Sequence, residues 1–152
     1  MAVADRLAQL GLELPVVAAP AGAYVPAVVA GDLVFTAGQL PFVDGVLART
    51  GVLGRDVPVE EAADLAAVCA LNALAAVGSV LDGLDRITQV VKVTGFVASA
   101  PGFTEQPAVL NGASNLLVDL FGDDGRHARS AVGVAALPLG SPVEVELVVR
   151  FR

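Results

Sequence analysis

The chain has 152 residues, 55% of them hydrophobic and 16% charged, with nine basic against sixteen acidic residues and a net charge of −7. That length suits one domain with a sizeable core, and the acidic balance argues against a broad phosphate-binding face and hence against nucleic acid. A single cysteine excludes an intrachain disulfide and fits a reducing, cytoplasmic setting, and the one histidine beside it leaves no metal cluster of ordinary spacing.

Residues 2–12 read as a short amphipathic helix, with Leu7 and Leu10 on one side and Asp5, Arg6 and Gln9 on the other. The charges at Asp5 and Arg6 break any leader-like apolar run. Residues 1–14 are treated as a helical extension of a single domain covering 1–152. A Pro/Gly/Ala connector follows, then strands at 24–29 and 33–40 about a Gly31-Asp32 turn, closed by Pro41. Residues 42–57 form a Gly-rich loop around Asp44-Gly45 and Thr50-Gly51. Pro58, Glu60, Glu61 and Asp64 open a helix that runs to Leu81, where Asp82-Gly83 ends it. Its apolar stretch lacks basic flanks and falls short of a comfortable span of ~20 residues, so it is a buried helix and not a membrane segment.

Residues 87–98 (ITQVVKVTGFVA) are a third strand. Thr104 is expected to cap a second helix with Glu105 and Pro107 in its first turn. Leu110, Ala113, Leu117 and Phe121 make its apolar stripe. Residues 122–125 are the exit loop. The last 25 residues, ARSAVGVAAL, PLGSP and VEVELVVRFR, read as a closing hairpin turning about Gly140. In that hairpin Arg129 faces Phe151 and Glu144 faces Ala136. The two charges then lie seven pairs apart, roughly 23 Å at ~3.3 Å per residue. If both serve one site, two chains must build it. The order ββαβαββ predicts an α+β fold, a mixed β-sheet with two helices packed on one face. The other face is expected to need a cover as well, because Val34, Ala131, Gly133, Ala135 and Val148 leave it short of polarity. Trimerisation into a sheet-lined barrel would supply one.

No phosphate loop, dinucleotide fingerprint or GxSxG elbow is present. Cys69 lies in an apolar helix and reads as packing. Arg129 has the best functional case, since arginine at the head of a small-residue strand can hold a carboxylate through two parallel bonds. The plainer reading is an ion pair with Asp123 or Asp124. Glu144 is a candidate general base, and Glu146 on the same face competes with it. Tyr24 reads as packing and His127 as an exposed loop histidine. Gly38 marks a bulge or a place where a ligand nears the backbone. Asn111 lies one turn before Asn115 on an otherwise apolar helix.

Four segments carry a family resemblance: AYVPAVVAGDLVFTAGQLP, KVTGFVASAPGF, the helix position of Asn111, and HARSAVGVAALPLGSPVEVELV. Over residues 20–152 the chain resembles the RidA (YjgF-like) family of small trimeric enamine/imine deaminases. The resemblance implies a chorismate-mutase-like fold and a homotrimer with clefts between subunits. Arg129, helped by the Gly38 amide, would clamp a substrate carboxylate. Glu144 and the Ala131 carbonyl would hold the attacking water, and Tyr24 and Asn111 would line the cleft. The implied reaction is hydrolysis of 2-imino and enamino acids to 2-keto acids and ammonia, with no cofactor and no metal. The alternatives are a non-catalytic trimer that binds small carboxylates and, more weakly, an endoribonuclease or translation inhibitor. The chain departs from the family at Ala37 (often a hydroxyl residue), Ala131 (often cysteine) and His127 (commonly proline). The loop at 122–126 is one residue longer.

Overall fold

In chain order the elements are α1 (Val3–Gln9), β1 (Ala27–Ala30), β2 (Leu33–Thr36), β3 (Phe42–Val43), β4 (Val46–Leu47), α2 (Val59–Leu81), β5 (Ile87–Ala98), α3 (Gln106–Phe121), β6 (Ala128–Val134) and β7 (Val143–Phe151). The structure, a computed structural model, describes residues 1–152. Five strands form one sheet in the order β1-β2-β7-β5-β6, and β3 and β4 make a separate hairpin. Asp44 and Gly45 turn that hairpin, both at positive φ (51° and 78°), which the tight turns of two-residue hairpins demand.

β5 is the spine of the sheet. Its partner on one side is β7, antiparallel, and on the other β6, parallel. A parallel neighbour needs a crossover long enough to return the chain to the same end of the sheet, and α3 is that crossover. Here the expected closing hairpin is corrected. β6 and β7 do not pair, because β5 lies between them. Arg129 sits opposite Val93, not Phe151, and Glu144 opposite Phe96, not Ala136. Period-two patterning shows which residues share a face, but it carries no record of which strand lies alongside.

α2 and α3 cover one face. Val34, Val90, Val93, Val97, Val143, Val145, Leu147 and Val149 point into it, and all are nearly inaccessible to solvent. The helices meet at unusually short range: a Cβ on Gly112 of α3 would run into the carbonyl of Ala63 on α2. Alanines at 62, 66, 70, 73 and 76 keep α2 thin where it is buried. Leu110 fills the hollow above Gly95, where any Cβ would collide with it. Burying one such leucine contributes ~1.5–3 kcal/mol. α2 is long and apolar enough to cross a membrane by length and composition, and most of that stretch is buried within the fold, as befits a core helix.

α1 is shorter than expected, yet Val3 and Leu7 join the same hydrophobic core as the sheet. The Val3 N–H donates to Asp85 Oδ1 at 2.8 Å, which closes the helix start with a carboxylate. Thr104 does not cap α3. The N-cap is Glu105, with no side-chain cap bond. Instead Gln106 Nε2 donates to Phe103 O (2.9 Å) and Ser99 Oγ (3.2 Å).

The second face of the sheet is open, but the residues expected there need correcting. Val34 lies on the helix face and is fully buried, and register puts Ala131 and Gly133 opposite the core-facing Gly95 and Val97. The open face carries Val28, Phe35, Phe96, Val132 and Val148, interspersed with Lys92, Thr94, Glu144 and Glu146. Val28, Phe35 and Val132 remain 52%, 45% and 43% exposed.

Candidate functional site

The first cluster forms where β2 parts from β7. The two strands pair as far as Phe35 and Val148. There the Leu147 N–H turns to the Thr36 hydroxyl (2.9 Å). Pairing resumes between Gln39 and Val145, whose backbones exchange bonds of 2.8 and 3.1 Å. One extra residue on the β2 side makes this a β-bulge. The bulge presses the Gly38 backbone onto the Glu144 side chain, and a Cβ at position 38 would land on Glu144 Oε1. Asn72 of α2 steadies the exit from the bulge by donating to Leu40 O and Phe42 O, both at 3.1 Å.

Glu144, Gly38 and Tyr24 line one cleft of about 310 Å³, walled also by Ala18, Pro20 and Leu139. The connector after α1 therefore forms part of the wall, a role its composition did not announce. Leu12 and Val17 pack that connector onto the core. The Tyr24 hydroxyl is not free: it accepts the Ala21 N–H at 3.3 Å. Glu144 takes part in none of the four ion pairs of the chain. Burial, and then the neighbouring Glu146 carboxylate, push its carboxyl above the usual range. A half-buried carboxylate without a cationic partner is suited to accept a proton. Of the two glutamates, Glu144 is the one that lines the cleft. Cys69 lies behind it, buried, with its thiol pushed well up by burial and by Glu144, and is inert.

The second cluster lies across β5, against α3. Arg129 does not pair with Asp123 or Asp124; Arg126 takes Asp123 instead. Nη1 of Arg129 donates to Asn111 Oδ1 (2.9 Å) and Ser114 Oγ (3.0 Å), and Nη2 donates to Pro107 O (3.4 Å). A guanidinium has five N–H donors, so Nε–H and one Nη2–H remain. Nε and Nη2 form the edge of a guanidinium that takes a carboxylate bidentately, and here Nη2 also carries the Pro107 bond. Ala131 follows on the same side of β6, opposite Gly95. Ser114 went unnoticed in the sequence, although its spacing of three from Asn111 puts both on one helix face. His127 is not an exposed loop residue: it is half-buried and bonded to Ser114 and Gly125.

The structure therefore brings Tyr24, Gly38 and Glu144 together, and separately Asn111, Arg129 and Ala131. It does not bring the two groups to each other. Arg129 belongs to the helix side of the sheet and Glu144 to the open side, with β5 between them. The seven-pair separation expected from a hairpin is not found: their partners on β5, Val93 and Phe96, are three residues apart, and it is the opposite faces of the sheet that part the two side chains. No group of three or more His, Cys, Asp or Glu side chains is placed to hold a metal ion.

Residues 4–151 match the family model described as "YjgF/chorismate_mutase-like, putative endoribonuclease". The chain belongs to the YjgF/chorismate-mutase-like family. It is 47% identical over 151 residues to Protein TCP17 of Trypanosoma cruzi, covering 99% of this chain and 94% of that protein. The crystal structure of Atu1372 from Agrobacterium tumefaciens, whose function is stated as unknown, superposes with a TM-score of 0.93 at 46% identity, over 99% of this chain and 94% of that one. A Shewanella oneidensis structure bearing the same endoribonuclease description reaches 0.96 at 36% identity, over 99% and 100%. The YjgF-like match spans nearly the whole chain, α1 included, so the N-terminal helix and its connector are shared with these long relatives.

Proposed function

We propose that the protein hydrolyses 2-imino and enamino acids to 2-keto acids and ammonia, at clefts between the subunits of a homotrimer. The observation that carries this reading is the pair of half-sites. One offers a half-buried carboxylate beside a bulged backbone, and the other offers an arginine whose Nε makes no bond within the chain and whose Nη2 bonds only Pro107 O. A substrate that needs both must lie between two copies of the chain, and burial of Phe35, Val132 and Val28 on the open face gives those copies a reason to associate.

In this reading Arg129 holds the substrate carboxylate and the Gly38 region receives its other end. Glu144 takes a proton from water as the water oxygen bonds to C2 of the protonated imine. Glu144 then returns that proton to the amine nitrogen of the carbinolamine, the C–N bond breaks, and the hydroxyl proton passes to the departing ammonia as the keto acid forms. Overall one water is consumed and one ammonium released. Imines hydrolyse readily, so holding one water and one substrate in line accounts for the catalysis required. The half-site residues supply all of this without a cofactor. A small acidic trimer of this kind is proposed to work in the cytoplasm.

The endoribonuclease description of the family supports a second reading, cleavage of RNA. The net charge of −7 and the paired Glu144 and Glu146 on the open face weigh against it, because RNA affinity rests on neutralising phosphates. The deciding experiment generates 2-imino acids with an amino-acid oxidase, traps them with semicarbazide, and measures how much flux the protein diverts to keto acid. Diversion that disappears in Arg129→Ala and in Glu144→Ala supports the deaminase reading. No diversion with small, branched or aromatic imines overturns it. Binding of keto acids that needs Arg129 but survives Glu144→Ala, without turnover, would mark a carboxylate-binding trimer.

A further inference from the structure

The hydrogen bonds around Arg129 do not stop at Ser114. His127 Nε2 lies 2.9 Å from Ser114 Oγ, and His127 Nδ1 lies 2.6 Å from Gly125 O. A backbone carbonyl can only accept, so Nδ1 carries the ring proton. With the single ring proton on Nδ1, Nε2 accepts and Ser114 is the donor. A serine that gives its proton to His127 turns its lone pairs toward Arg129 Nη1. The direction of every bond in the series Arg129, Ser114, His127, Gly125 is therefore set by its last member.

That last member is itself closely packed. Gly125 is buried, and a Cβ there would strike the Leu117 carbonyl. Gln89 Nε2 ties down the same loop through Asp124 O (3.2 Å) and Arg126 O (2.6 Å). The loop thus anchors the ring, the ring orients the serine, and the serine fixes one end of the guanidinium.

We infer that Ser114 and His127 are positioning residues for Arg129, selecting the Nε/Nη2 edge that the guanidinium offers to a carboxylate. The inference rests on the carboxylate-clamp role given to Arg129 above. Fixing the far end of a long, flexible side chain removes rotamers before the ligand arrives, which strengthens binding without adding a contact to the ligand. Both residues act through Arg129, so their effects are coupled and not additive.

The test measures the affinity of the full-length protein for 2-oxobutanoate by calorimetry, and KM and kcat for 2-iminobutanoate. Ser114→Ala is expected to weaken keto-acid binding and raise KM about tenfold, the loss of one charge-assisted bond, with a smaller change in kcat. His127→Ala should act in the same direction by a smaller factor, and Ser114→Thr, which keeps the hydroxyl, should restore most of the loss. The double variant should bind no worse than Ser114→Ala alone. Unchanged affinity in Ser114→Ala, or His127→Ala and Ser114→Ala effects that multiply, overturns the inference. Tight keto-acid binding that falls as described, without imine turnover, upholds the positioning and removes only the deaminase reading. Wild-type protein that binds no carboxylate overturns the clamp and its buttress together.

Discussion

Glu144 and Gly38 set the pH behaviour of the proposed site. A general base must be ionised, and a carboxyl raised by burial and by Glu146 holds its proton to higher pH than an ordinary glutamate. Imine hydrolysis should therefore fall away with acidification through a pKa above the usual carboxylate range. Glu146→Gln removes the second cause and should move this limb to lower pH; an unmoved limb assigns it to another group. The same shift acts on folding in a definite sense. A carboxyl whose folded pKa is raised binds more protons folded than unfolded, so its ionised form is destabilising, and that penalty is relieved as pH falls through the folded pKa. Glu144→Gln should accordingly raise the unfolding midpoint at neutral pH while abolishing turnover. Gly38→Ala tests the bulge: its methyl must displace Glu144, and kcat should drop at least about tenfold, since ångström-scale misplacement of a reacting group has effects of that order and larger. A Gly38→Ala enzyme of wild-type rate would show that Glu144 need not sit where the bulge puts it.

Secondary structure was readable wherever one physical signal dominated. β5 and α2 fall where ITQVVKVTGFVA and the Pro58-to-Asp82 interval place them, because alternation, a proline start and an Asp-Gly stop agree. The pairing of β6 and β7 was not readable. Both strands alternate well, but a loop containing Pro138 and Gly140 can lead into a neighbouring strand or across one, and the residues in it do not distinguish the two. The grouping of Gly38 with Glu144 depends on a one-residue bulge whose only local trace is a glycine. Close approach of α2 and α3 makes a prediction at this scale. Gly112→Ala puts a methyl against the Ala63 backbone, which cannot rotate away as a side chain can. It should destabilise the fold by ~1–3 kcal/mol, the usual range for overpacking, read from denaturant midpoints. An unchanged midpoint would mean that the two helices slide apart freely.

At the scale of the whole molecule, the face bearing Phe35 and Val132 and the division of the site predict the same assembly. Sedimentation should give three times 15.3 kDa, and Phe35→Glu should shift the mass toward one chain and remove turnover together. Complementation is more specific. Arg129→Ala and Glu144→Ala are each expected to be inactive. If each site takes its arginine and its glutamate from different subunits, dissociating and reassociating an equal mixture should restore roughly one quarter of wild-type activity, from random assortment in a closed ring. Failure to restore any would place both residues of a site in one chain, against the arrangement of β5 between them.

The placement of Arg129 and Glu144 on opposite sides of one sheet has a consequence for the newly made polypeptide. On the proposed reading, a single folded chain would carry every group the reaction uses and yet be chemically silent. Activity is then a property of concentration as well as of sequence. Specific activity should decline on dilution once protomers separate, and recover on concentration, with the half-point reporting the strength of assembly. Such latency would also let an excess of one inactive variant poison the wild-type protein by co-assembling with it, a dominant effect arising from geometry alone.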